Sequence, residues 1–176
     1  MVAAALAVGA CSSDLQLPPA ALANEVDTVS LYALTGTPVG VPSAYHLEFR
    51  RIVRTDQSAA FDFVFDLTAA GAPVFVPTGP LGLGEGSGLR ESPQPFDSIT
   101  IAPVSGYVYD AATPADSGAD LLVQSRVTVC NFGARVSYYA KLRVLAVDPG
   151  ARRIDFEILV NANCGYRGLE PGLPTR

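Results

Sequence analysis

The chain has 176 residues, of which 49% are hydrophobic and 16% charged, and a formal net charge of −5. It is long enough to bury the core of one domain and too apolar for a disordered chain. Its 12 Lys and Arg do not cluster, which argues against a nucleic-acid partner because phosphate neutralisation needs grouped cations. No apolar run reaches the ~18–20 residues of a membrane-spanning helix.

Residues 1–10 (MVAAALAVGA) are uncharged and apolar and end in small side chains. They read as the apolar core and cleavage region of a secretory signal segment, truncated at its start because the positive leader is missing. The next residue is a cysteine. Val8-Gly9-Ala10-Cys11 resembles the lipobox of bacterial lipoproteins, an aliphatic residue and two small residues before Cys. Small side chains let extended backbone enter the signal peptidase, and the thiol accepts diacylglycerol. The resemblance implies that Cys11 is the lipidated first residue of an envelope lipoprotein. It also implies, from Ser12 in place of Asp, that the protein sorts to the outer membrane. One acyl chain binds a membrane only marginally, whereas the several chains of a lipoprotein anchor hold stably. Residues 11–24 (CSSDLQLPPAALAN) then form a lipidated tether, stiffened by Pro18-Pro19.

From Glu25 onward the hydrophobic period is two. Strands are expected near 26–34, near 45–54 with a bulge at Arg50-Arg51, and at 61–67, where Phe61, Phe63, Phe65 and Leu67 share one face. Others are expected near 73–76, 97–102, 106–110, 121–130, 136–147 and 153–162. The run Gly82-Leu83-Gly84-Glu85-Gly86-Ser87-Gly88 reads as a surface loop. Many short strands, punctuated by 16 Gly and 14 Pro, predict an all-β, antiparallel β-sandwich of Ig-like or jelly-roll-like type, with a small β-barrel as the alternative. That single domain spans residues 25–165, and residues 166–176 form a C-terminal tail.

The last hairpin can be read residue by residue. A three-residue loop, Asp148-Pro149-Gly150, pairs Val147 with Ala151 and Leu142 with Phe156 on the inner face. Outside, Arg143 then opposes Asp155 and Lys141 opposes Glu157, both with opposite charges. Cys130 and Cys164 bracket this unit. Two strands separated by a third lie roughly 9.6 Å apart, so a bridge between their ends requires the chain to curl inward. With Cys11 taken by lipid and export to an oxidising compartment, Cys130–Cys164 is the expected disulfide, contributing about 3–4 kcal/mol in the chain-entropy view.

Candidate chemistry is sparse. Asp155 and Glu157 lie on one strand face, roughly 6–7 Å apart, the kind of carboxylate pair that serves glycoside hydrolysis; the hairpin register gives each its own cation instead. Asp62 and Asp66 lie roughly 13 Å apart along their strand, too far to share a bond. His46 is the only histidine, which excludes a multi-histidine metal site, and its alternation with Tyr45 and Leu47 places it toward solvent. Asp110, Asp116 and Asp120 are weak candidates for a calcium site, without EF-hand spacing. The Gly-Glu-Gly-Ser-Gly string around Ser87 lacks the strand–turn–helix setting of a nucleophile elbow. Tyr107, Tyr109, Tyr138 and Tyr139 form the densest aromatic group, with Tyr138 facing in and Tyr139 out. No cofactor is implied. Segments such as "YALTGTPVGVPSAY", "APVSGYVYD" and "NANCGYRGLEPGLP" are similar to uncharacterised envelope lipoproteins of bacteria. The expected role is a lipid-anchored binding or structural module with an envelope protein or glycan as partner. The alternative is a glycan-directed hydrolase with a shallow carboxylate site.

Overall fold

A computed structural model describes residues 18–84, 86–130 and 133–175. The strands are β1 (Val26–Tyr32), β2 (Ala44–His46), β3 (Arg51–Val53), β4 (Phe63–Leu67), β5 (Pro73–Pro77) and β6 (Gly88–Glu91). They continue as β7 (Thr113–Pro114), β8 (Asp120–Gln124), β9 (Thr128–Val129), β10 (Arg135–Val136), β11 (Tyr139–Asp148) and β12 (Arg153–Asn161). All pairings between them are antiparallel. Two five-stranded sheets result, ordered β1-β12-β11-β8-β6 and β3-β2-β4-β5-β7, with β9 and β10 as a separate ribbon. Both sheets end in unpaired edges, so the molecule is a β-sandwich and the barrel alternative is set aside.

Period two explains the packing between the sheets. Val29, Leu31, Leu142, Val144, Phe156 and Ile158 of one sheet meet Tyr45, Phe63, Phe65 and Phe75 of the other. Phe156 is the hinge of the aromatic contacts, with ring centroids 5.5 Å from Phe75, 6.2 Å from Phe63 and 6.3 Å from Tyr45. Burying each such ring contributes about 1.5–3 kcal/mol. The outer faces are covered as well. Phe96, Ile99, Ala102, Tyr107 and Leu169 lie over Leu122 and Leu159, while Phe61 and Val53 pack with Ala44 and Val64 outside the second sheet.

Several expected elements differ. The segment 45–54 is two strands joined by a turn: Arg50 donates its N–H to the Leu47 carbonyl (3.0 Å) and takes a positive φ of 48°. Residues 97–102 are not a strand; a 3-10 turn at Phe96–Ser98 leads an irregular segment across the first sheet. Within 106–110 only Val108 bridges, to Leu89. The end of the glycine-rich run starts β6, where a Cβ on Gly88 would sit 2.7 Å from the Tyr109 ring and 2.8 Å from the Tyr107 side chain. Residues 166–175 are no loose tail, for Leu169 is fully buried and Gly172 bridges Asn24, while Gly168 bridges Ile101. The tether's last residues are held too: the Tyr166 hydroxyl donates to the Pro18 carbonyl (3.0 Å).

The hairpin register is displaced by two residues. Leu142 faces Ile158 and Arg143 faces Glu157, not Asp155; Lys141 faces Leu159, not Glu157. A bulge between Val144 and Ala146 absorbs one residue, and the turn is longer than expected, closing at Asp148 and Arg153. Asp148 accepts the Ala151 N–H (2.9 Å), and Arg152 rather than Gly150 holds the left-handed conformation, φ 52°. Because the shift is even, the inner face survives. Lys141 is buried at 3% exposure, and its Nζ donates to the carbonyls of Phe96 (3.0 Å) and Ile99 (2.9 Å).

The strand directions define two ends. At the base, β1, β11 and β6 begin, β12 and β8 end, and β2 turns into β3. At the tip, β11 turns into β12.

Candidate functional site

The deepest polar arrangement lies at the base and is organised by Asp62, the residue just before β4. Its N–H donates to the Tyr45 carbonyl (2.8 Å), which carries the β2–β4 pairing one step further. That places the carboxylate, 2% exposed, beneath the β2–β3 turn. Oδ2 accepts the Leu47 N–H (2.8 Å); Oδ1 accepts the Arg126 N–H (3.1 Å), with the Arg126 guanidinium Nε at 3.8 Å. Leu47 follows β2 and Arg126 follows β8, so one carboxylate ties the two sheets together. Removing a buried carboxylate's partners, or the carboxylate itself, leaves desolvated groups that each cost about 1–3 kcal/mol.

Beside this clasp is a cavity of about 180 Å³ lined by His46, Glu48, Asp62, Ser125, Arg126 and Tyr138, with Val127 and Thr128 at its wall. His46 is 6% exposed, contrary to the solvent-facing position expected from alternation, because β2 is flanked by β3 and β4 and its far end is roofed by the chain after β8. Nδ1 of His46 is buried without a hydrogen-bond partner and lies 3.9 Å from Asp62 Oδ2. Burial pushes the imidazole below its ordinary pKa, and the Asp62 carboxylate opposes that less strongly. Ser125 is already engaged: its Oγ accepts the Tyr138 N–H (2.8 Å) and donates to the Arg126 carbonyl (2.7 Å). Ser87, the serine of the glycine-rich string, is fully buried and donates to the Asp62 carbonyl, with Thr78 Oγ1 at 3.1 Å. Both serines are structural.

The other candidates fall elsewhere. Asp155 pairs with Arg153 (2.7 Å) and accepts from Ser30, which hold its carboxyl below the usual range against the opposing effect of burial. Glu157 pairs with Arg143 (3.1 Å), which also grips Asp97 (3.0 Å) and Asp120 (3.2 Å). Asp120 is thereby withdrawn from a cation site. Asp110 and Asp116 are exposed, with Asp110 beside Gly79 and Asp116 in the turn before β8. Among the described residues, no group of three or more His, Cys, Asp or Glu could hold a metal ion, and the calcium candidates do not gather. Tyr107, Tyr109 and Tyr139 do come together outside the first sheet, Tyr109 and Tyr139 both bonded to Gln124 (2.6 and 3.3 Å), while Tyr138 faces the main core. Cys130 and Cys164 form the disulfide, with Cα atoms 6.1 Å apart, at the base. Cys11 lies outside the described residues.

The Asp62 clasp escaped the sequence reading because its partners are remote: Arg126 is 64 residues away. The available signal was a carboxylate at the head of the run FDFVFDL, in a strand flanked by apolar residues on both parities. No family model matches the chain, and no curated protein matches it closely enough to lend it a function.

Proposed function

We propose that this chain is a lipid-anchored module of the bacterial envelope, held at the outer membrane through Cys11, that acts by binding an envelope protein or glycan rather than by hydrolysis. The reading rests on the state of the carboxylates. Asp155 and Glu157, the pair best spaced for glycoside hydrolysis, each already grip an arginine. Hydrolysis by such a pair needs one carboxyl free to carry a proton and the other free to attack or to activate water. In the cavity, both oxygens of Asp62 are spent on backbone N–H groups. The Cys130–Cys164 disulfide suits an exported protein, and the lipobox-like Val8–Cys11 stretch supports the anchor. Cys11→Ala is expected to move the protein from the envelope fraction to the soluble fraction; a variant that still sediments with membranes refutes the anchor. Affinity capture of the lipidated protein from its native envelope, followed by mass spectrometry, is expected to return one defined partner. Turnover of a glycan by the purified protein, lost in Glu157→Gln, would overturn the binding role.

A further inference from the structure

We infer that the cavity beside the Asp62 clasp binds a small zwitterionic amino acid, its carboxylate on Arg126 and its ammonium group on Glu48. The site needs neither the anchor nor the macromolecular partner proposed above.

The two sheets bring opposite charges to this cavity. Glu48 lines it from the β2–β3 turn and Arg126 from the segment after β8. The two do not pair with each other, and among the described residues Glu48 enters no ion pair and no side-chain hydrogen bond. Arg126 is only loosely engaged: its Nε stands 3.8 Å from Asp62 Oδ1, and its Nη1 reaches the Ala59 carbonyl at 3.4 Å. Among the described residues its Nη2 has no partner. Asp62 does not answer a ligand's positive charge, because both its oxygens accept backbone N–H groups. The guanidinium is also positioned in advance. The Arg126 stem lies across Gly86, where a Cβ would stand 2.5 Å from Cγ, so a side chain there would displace the guanidinium.

A third polar group completes the site. His46 lines the cavity at 6% exposure, and its buried Nδ1 has no hydrogen-bond partner. The Phe49 ring packs on the imidazole, centroid to centroid 4.8 Å. Buried polar atoms are normally hydrogen-bonded, so an orphan beside a cavity calls for a ligand atom.

Size and charge select the ligand. An enclosed space of about 150 Å³ holds a molecule of six carbon atoms. The ~180 Å³ here therefore suits glycine, alanine or a molecule little larger. A simple anion would lie beside the Glu48 carboxylate, and a simple cation beside Arg126. A zwitterion answers both charges, with the forked guanidinium–carboxylate contact as its stronger end. Among the described residues, no group of His, Cys, Asp or Glu could hold a metal ion there instead.

The chain has one histidine, so the imidazole resonance of His46 is a single reporter inside the cavity. Purified full-length protein at fixed neutral pH is titrated with glycine, L-alanine, D-alanine or β-alanine, followed by that resonance and by calorimetry. At least one of them is expected to give a saturable shift, half-complete below about 10 mM. Glu48→Gln and Arg126→Gln should each weaken that binding about tenfold or more, with thermal unfolding as the check that they fold. Propionate and ethylammonium each carry one of the two charges and test the wild type without any substitution. Both should bind about tenfold more weakly than the best amino acid. A resonance unmoved by all four amino acids overturns the site. Propionate or ethylammonium binding as tightly as the best amino acid overturns the zwitterion as its ligand. Affinity unchanged in folded Glu48→Gln overturns the assigned role of that carboxylate and, with it, the proposal.

Discussion

The base and tip of this sandwich are held by different means. At the base, closure is covalent and buried: the Cys130–Cys164 disulfide, the Asp62 clasp, and Asn163, whose side chain accepts from the N–H groups of Ala21 and Leu22 and donates to the Leu22 carbonyl. At the tip, closure is made by exposed turns and solvated ion pairs. Arg152 donates to the Thr35 carbonyl (3.0 Å), and Arg54 meets Asp56 (2.7 Å) with both side chains partly in water. Polar contacts stabilise in proportion to how little water competes for them. The base should therefore be far more sensitive to substitution than the tip, although both are rich in hydrogen bonds.

That contrast can be broken in order of size. Replacing both Cys130 and Cys164 with Ala is expected to cost about 3–4 kcal/mol, read from urea unfolding of the oxidised wild type against the variant. A loss below 1 kcal/mol would mean that the base is held by its hydrogen bonds alone. Asp62→Ala comes next, at about 2–4 kcal/mol, because the N–H groups of Leu47 and Arg126 lose their acceptor together. Asp62→Asn keeps one acceptor oxygen and turns an amide donor toward the other N–H, so it too should destabilise; an Asp62→Asn variant as stable as wild type would show that one acceptor suffices.

A third test uses pH. His46 is held neutral by burial, so the folded state resists a proton that the unfolded chain accepts near its ordinary pKa of about 6.5. Stability contributed by neutral His46 is thus complete above that value and is lost as pH falls below it toward the depressed folded pKa. Thermal unfolding followed between neutral and mildly acidic pH should show that decline, and His46→Gln should flatten it. The smallest effect is expected on the tip side: Arg54→Ala should change stability by no more than about 0.5–1 kcal/mol, since its ion pair is solvated.

How much of this was legible in the sequence follows from the range of each interaction. The sandwich class was readable because period two is local, repeated in VDTVSLY, FDFVFDL and both strands of the last hairpin. The hairpin's faces were readable for the same reason, but its register was not, since the bulge before Ala146 leaves no local mark. His46 and Lys141 were misplaced by one assumption, that each sheet has an open face. Both outer faces are covered by segments distant in sequence, 96–102 over Lys141 and 125–128 beside His46. Alternation says which side of a strand a residue takes; it is silent about what later lies on that side.

Lys141 has a practical corollary. It is the only lysine in the chain, and its amine is sealed against two carbonyls under the Phe96–Ala102 segment. Acylating reagents that react with lysine amines will therefore find it only when that segment lifts. The rate of its acetylation becomes a clock for one local opening of the fold, uncomplicated by any second lysine.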